Sequence, residues 1–205
     1  MDKKYQEPLF PDGATKEERL ALTTYLGEIS DADFGFETEL RPTKYRFSVR
    51  CLIFNKKGKI GLVKSTKHNY YQIPGGGMDS GETIETALRR ETREEIGYEI
   101  SHIKPIGYFC EKKEGKLNQR PATRCISYVY IATPESEVGT NYTSEEVFEG
   151  FIPVWEDLDF IIDFKKKHLK ELRKNEPQNY GGAFVTLRDL NLLKYYKEHF
   201  SDAKN

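Results

Sequence analysis

Apolar and polar residues change rhythm along this chain, and each change predicts a different element. In the polar stretch 1–44, Leu20, Leu22, Tyr25, Leu26 and Ile29 recur at helical spacing, and Thr15 followed by Glu18 has the form of a capping box. One helix is predicted there. From Tyr45 the period shortens to two: Tyr45, Phe47, Val49, Cys51 and Ile53 alternate with Arg46, Ser48 and Arg50, as a half-buried strand requires. Lys56-Lys57-Gly58-Lys59 reads as a hairpin turn returning through Ile60, Leu62 and Val63. A short segment from Tyr70 to Pro74 leads into the loop GGGMDSGE, and residues 83–96, free of Gly and Pro, predict a helix. Strand-like runs follow at Ile103–Cys110, Arg124–Ala132 and Gly150–Trp155. Two helices are predicted at the end. One runs from Asp157 to Lys174, bounded by Asn175 and Pro177; the other runs from Leu187 to Phe200, capped by Thr186 and Asp189. The order strands, helix, strands, helices predicts an α+β chain folded as an α/β/α sandwich.

Composition narrows the partners. Among 205 residues, 32 Lys and Arg nearly balance 33 Asp and Glu, so no global field draws in nucleic acid or a membrane surface. No apolar run approaches the roughly 20 residues that span a bilayer, and MDKKYQEPLF has no apolar stretch of a secretory signal. A cytoplasmic protein is expected, with a small-molecule partner and neither nucleic acid nor membrane. Cys51, Cys110 and Cys125 are odd in number and widely spaced, which argues against a disulfide framework and a zinc site. In strand-like runs, Cys51 and Cys125 are expected to behave as small buried apolar groups.

The chemistry concentrates between Gly76 and Tyr98. On a helix at about 100° per residue, Ile84, Ala87 and Leu88 share one side, and Glu91, Glu94 and Glu95 continue it. Carboxylates three and four apart repel, and near a helix C-terminus the macrodipole disfavours each by about 0.3–1 kcal/mol. A hard divalent cation resolves that conflict, since magnesium takes one or two carboxylates, retained waters and substrate phosphates. The alternative is a solvated acidic helix end paired to Arg90 and Arg93. The loop before the helix shifts the balance toward the metal: Gly75, Gly76, Gly77 and Gly81 permit backbone shapes and close approaches closed to other residues.

This segment resembles the Nudix box, G-x(5)-E-x(7)-R-E-U-x-E-E-x-G-U with U a bulky apolar residue. Gly76, Glu82, Arg90, Glu91, Glu94, Glu95 and Gly97 fill all seven fixed positions. A chance match is on the order of one in 10⁸ per starting point at ordinary residue frequencies. Thr92 and Tyr98 stand at the two U positions and read as packing variations. The resemblance implies a Nudix-type sandwich with a mixed central sheet over residues 45–160. An extension covers 1–44, and a C-terminal helical extension covers 161–205. It implies hydrolysis of a diphosphate linkage in a nucleotide-like substrate by water attack on phosphorus. Glu91, Glu94 and Glu95 would bind Mg2+ (or Mn2+), Arg90 would hold the cluster in shape, and Glu82 would anchor the loop or reach metal through water. Glu94 or Glu95 is the first candidate for the base, and Glu145 or Glu146 the second; ordinary loop charge is the other reading of that pair.

For the rest of the substrate, Arg46 and Arg50 share one strand face, Tyr70 and Tyr71 precede the loop, and Gly75, Gly76 and Gly77 offer backbone. Lys165-Lys166-Lys167 reads as the wet face of a helix. The chain lacks a zinc ribbon, the proline that marks many ADP-ribose enzymes (Lys112 or a neighbour stands there) and the tyrosine of many dinucleoside-polyphosphate enzymes. These departures favour a nucleoside triphosphate or small nucleotide derivative. A nucleotide-sensing module without turnover is the alternative function. In the last helix Leu190, Leu193, Tyr196 and Phe200 share a side expected to pack in cis, with a homodimer as the other reading.

Overall fold

The computed structural model describes residues 9–35, 43–113, 122–174 and 180–200. In chain order the elements are helix α1 (Lys16–Ala21), strand β1 (Tyr25–Ser30), a 3₁₀ turn (Asp31–Phe34), β2 (Thr43–Ile53), β3 (Ile60–Ser65), β4 (Tyr70–Gln72), α2 (Ile84–Ile96), β5 (Tyr98–Lys113), β6 (Ala122–Glu137), α3 (Ser144–Phe148), β7 (Phe151–Glu156), α4 (Leu158–Lys174) and α5 (Tyr180–Phe200).

Two sheets form. The larger is mixed, in the order β1-β5-β6-β2: β5 and β6 pair antiparallel, while β1 on β5 and β2 on β6 are parallel. The smaller is antiparallel, β4-β3-β7. Alternation along the strands sends side chains into two separate cores. Cys51, Ile53, Tyr128 and Tyr130 point to one side and meet Ile84, Ala87 and Leu88 of α2. Leu52, Phe54 and Val129 point to the other and meet Ile161, Phe184, Leu193 and Tyr196 of α4 and α5. Helices therefore cover both faces, giving the α/β/α layering of an α+β chain. Each fully buried Leu, Ile or Phe contributes roughly 1.5–3 kcal/mol.

Four sequence expectations need correction. The capping box forms, with Glu18 N–H donating to Thr15 Oγ1 and Thr15 N–H to Glu18, but α1 ends at Ala21. Tyr25, Leu26 and Ile29 lie on β1. Gly27 weakens a helix there by about 1 kcal/mol relative to Ala. At φ +132° it fits against Phe109 of β5 instead. The turn after β2 closes as expected, Asn55 Oδ1 accepting from Lys57 N–H and Lys59 N–H. The backbone is then bridged at Phe54–Ile60, and β2 and β3 part into different sheets.

The last helix begins at Tyr180, so Thr186 and Asp189 are not caps but buried interior positions. Gly181 and Gly182 disfavour a helix there, and the fully buried Ala183 and Phe184 beside them hold that turn in place. Lys166 and Lys167 are exposed as expected, while Lys165 is buried at 1% exposure. The shared side of Leu190, Leu193 and Tyr196 is buried in cis, with Phe200 packed against it. Asn175 and Pro177 lie outside the described residues. Cys51 is buried and Cys110 and Cys125 are half-buried, all three as free thiols.

Candidate active site

Local sequence fixes α2 at both ends. Thr83 Oγ1 accepts from Thr86 N–H at 3.1 Å, and Gly97, at φ +79°, donates its N–H to Arg93 O. Tyr142 hydroxyl then donates to Glu95 O at 2.6 Å and Asn141 N–H to Glu94 O at 2.8 Å, satisfying carbonyls that the helix end leaves open. Nothing in the polar stretch around Tyr142 signals this role. With Ile84, Ala87 and Leu88 pinned in the core, the last turns of α2 face the glycine loop.

That loop runs along β2 almost as a further strand. Cys51 N–H donates to Pro74 O (2.9 Å), Val49 N–H to Gly76 O (3.0 Å) and Met78 N–H to Phe47 O (3.0 Å). Gly75, at φ +134°, sits where any side chain would strike Val49 O. At Gly76 a Cβ would meet the Glu91 carboxylate at 2.5 Å, so bare backbone is what lets loop and carboxylate approach.

The carboxylates are unequally compensated. Arg90 donates to Glu82 Oε1 (2.8 Å) and Oε2 (2.9 Å), to Glu91 Oε1 (2.7 Å), more loosely to Glu94 Oε2 (3.4 Å), and to Gly77 O. Glu82 also accepts from Asp79 N–H at 2.8 Å, anchoring the loop. The Arg90 hydrogen bonds hold the Glu82 carboxyl below its ordinary range, and these bonds raise Arg90 in turn. Burial pushes Glu91 up despite Arg90. Glu95 is buried at 5% exposure and accepts from Gly75 N–H at 2.6 Å. Burial, with Glu91 nearby, pushes its carboxyl up to about 8. The Gly75 amide and the charge of Arg50 offset that rise only in part.

The other expected residues divide. Arg46 is exposed and its guanidinium lies near Gly77. Arg50 instead donates to Gly75 O and Val49 O, bracing the loop from beneath. Tyr71 is buried with its ring edge-on to Phe164, which closes it to a stacking base. Tyr70 is half-buried, edge-on to Phe151. Glu145 is exposed in the first turn of α3, and Glu146 caps that turn through Thr143. Glu149 pairs with Lys67 (3.1 Å) and His68 (2.8 Å). The N-terminal stretch lies near the loop's far end: Glu18 Oε1 accepts from Glu85 N–H, and Phe10 stacks on Tyr128.

The donor set fits a hard divalent cation. It consists of oxygen atoms, carries more negative charge than Arg90 offsets, and opens onto glycine backbone rather than bulk side chains. Among the described residues no three His, Cys, Asp or Glu side chains already form a closed ligand set. Magnesium does not need one, because it keeps waters and takes phosphate oxygens.

Loop, helix and carboxylates together define a site for phosphoanhydride chemistry, and comparison with known proteins agrees. The family model described as NUDIX domain matches residues 44–177, and the chain belongs to that family. It is a Nudix pyrophosphohydrolase, an enzyme of pyrophosphate hydrolysis, in a family that typically uses divalent metal ions. An RNA pyrophosphohydrolase of Ruthia magnifica subsp. Calyptogena magnifica is 30% identical over 145 residues, covering 63% of this chain and 80% of that one. The RNA pyrophosphohydrolase of Marinomonas sp. (strain MWYL1) is 30% identical over 147 residues, covering 62% and 90%. Among solved structures, a MutT protein from Bacillus halodurans aligns at a TM-score of 0.46 with 20% identity, over 58% of this chain and 72% of that one. A MutT structure from work on Aliivibrio salmonicida and Vibrio cholerae aligns at 0.38 with 22% identity, over 57% and 82%. The family assignment rests on the domain match. No helix among the described residues is long and apolar enough to cross a membrane.

Proposed function

We propose that this enzyme hydrolyses the polyphosphate of a nucleoside triphosphate or a small nucleotide derivative, with Mg2+ at Glu91, Glu94 and Glu95. The observation that carries this reading is the under-compensated carboxylate cluster of α2 facing the Gly75–Gly77 backbone. When bound, the metal neutralises the diphosphate and lowers the pKa of the attacking water. Glu94 or Glu95 takes the water's proton. Glu95, near neutrality without metal, is held at the loop by the Gly75 amide. Arg90 ties Glu82, Glu91 and Glu94 to the loop and keeps the cluster in shape. Arg46, beside Gly77, is placed to meet a phosphate or base edge. Glu145 and Glu146 stay second candidates for the base. In this reading residues 45–160 form the catalytic domain, 1–44 an N-terminal extension, and 161–205 a C-terminal helical extension that packs on the domain.

The names of the relatives favour a second substrate, the 5′-triphosphate end of an RNA. A groove of about 580 Å³ beside Glu94, lined by Arg89, Arg93, Thr140 and Asn141 among others, gives a chain beyond the first nucleotide somewhere to lie. The test is a panel of nucleoside triphosphates, nucleotide sugars, ADP-ribose, dinucleoside polyphosphates and 5′-triphosphorylated RNA, with Mg2+ or with chelator. Metal-dependent turnover of one class, abolished in Glu94→Gln and Glu95→Gln, is expected. Tight binding of one member with no turnover of any would replace the hydrolase by the nucleotide sensor.

A further inference from the structure

β4 is an edge strand, paired to β3 on one side only. Its other edge lies buried under α4 and α5, where a carbonyl or amide would lose water with nothing in return. Two side chains supply what is missing. Lys165 Nζ, from α4, donates to Tyr71 O at 2.6 Å and to Asp189 Oδ2 at 3.0 Å. Asp189, from α5, accepts from Ile73 N–H at 3.0 Å. Arg188 completes the cluster, donating to Asp189 Oδ1 at 2.8 Å and to Glu111 Oε1 at 3.3 Å. Lys165, Arg188, Asp189 and Glu111 are all buried.

These contacts sit where the chain leaves the smaller sheet for the edge of the larger one. Ile73 is held by Asp189. One residue on, Pro74 O accepts from β2. One further, Gly75 donates to Glu95, and Arg50 takes its carbonyl. We propose that the Lys165–Asp189 pair is a positioning device: it clamps the crossing at Tyr71 and Ile73 and so sets the Gly75 amide against Glu95.

A purely stabilising role explains the pair poorly. An apolar pair of similar volume is often as stable as a buried ion pair. No apolar pair, however, can take up both a carbonyl and an amide. Asp189 lies beyond residues 44–177 while Lys165 lies within them, so one half of the device comes from outside the matched family domain. The inference rests on the proposed role of Glu95.

The test compares two double variants with wild type. Lys165→Met/Asp189→Leu removes both charges of the pair and leaves Tyr71 O, Ile73 N–H and one side of Arg188 without their contacts, and circular dichroism confirms its fold before either readout is compared. Lys165→Met/Asp189→Asn keeps a side-chain oxygen for Ile73 N–H. Binding of Mn2+ alone, read from free Mn2+, and amide hydrogen exchange at Ile73 and Gly75 are the readouts. The Leu variant should weaken Mn2+ binding about 10-fold or more, as loss of a group supporting a ligand does. Exchange at both amides should accelerate, and the Asn variant should recover most of both. If the Leu variant binds Mn2+ and protects both amides like wild type, with only its melting temperature changed, the positioning role is wrong. Glu95→Gln separates the two ideas. Unchanged Mn2+ binding there would sink the carboxylate reading, while exchange at Ile73 and Gly75 would still decide whether the pair holds the loop.

Discussion

Two charged clusters lie on either side of the glycine loop, and they are built on opposite principles. Behind the loop, buried Lys165 and Arg188 hydrogen-bond to buried Asp189 and Glu111, and Lys113 lies 3.9 Å from Glu111. In front of it, Glu82, Glu91 and Glu94 face Arg90, with Glu94 partly open to solvent, and Glu95 accepts from the Gly75 amide. In the first cluster each carboxylate has a cation against it. The second is complete only with further positive charge. A buried cluster whose carboxylates are all paired fixes backbone, whereas an acidic one at a cleft marks where a cationic ligand is needed.

The sharpest way to break this contrast is at the open cluster's chemistry. Glu95→Gln should lower turnover by about 10²-fold or more, through loss of a metal ligand or of the base, with the fold intact by circular dichroism. Activity near wild type would remove Glu95 from the site. Stability should respond in the opposite pattern. Lys165→Met leaves Asp189 short of a cation and should cost about 3 kcal/mol in urea unfolding, the low end for a broken buried pair because Arg188 remains. Glu94→Gln, at a partly exposed like-charged position, should change stability by no more than about 0.5 kcal/mol.

The pH dependence sharpens the contrast further. Glu95 has a folded value of about 8, above its unfolded value of about 4.3. Between those limits the folded state binds more protons than the unfolded one, so metal-free stability should fall as pH rises from about 4.3 to about 8. Glu95→Gln should flatten that slope. Asp189 behaves in the opposite sense. Burial raises it, but Arg188, Lys165 and the Ile73 amide together pull it below its ordinary range. Its stabilisation is present above about 3.9 and is lost as pH falls through the lower folded value. Acid unfolding of an Asp189→Asn variant should show a shallower limb there. The smallest effect concerns Cys51, whose thiol burial pushes up to about 12. Native protein should leave it unalkylated by iodoacetamide at pH 8, and modification without unfolding would contradict its burial.

The sequence made the open cluster legible because its residues lie close together in the chain. Gly76, Glu82, Arg90, Glu91, Glu94 and Glu95 meet through one loop and one helix, and spacing alone places them. The paired cluster joins Tyr71, Ile73, Lys165 and Asp189, whose meeting depends on how α4 and α5 dock. No periodicity reports that. Lys165 looked like part of a wet lysine run, and Asp189 like a helix cap, because local pattern is blind to a distant backbone edge. β1 failed for a related reason. Apolar residues at 22, 25, 26 and 29 fit a helix, and what makes a strand of them is pairing with β5. Tyr71 gave no sign that Phe164 would cover it.

The most direct measurement is calorimetric titration of Mg2+ into the protein at pH 7, in two buffers of different ionisation enthalpy. The account predicts saturable binding that releases about one proton, because a Glu95 carboxyl with a value of about 8 must ionise to meet the cation. Both the binding and the proton should disappear in Glu95→Gln. Binding of equal strength in that variant, or no binding by wild type with or without a nucleotide, would contradict the assignment of the α2 carboxylates to a metal.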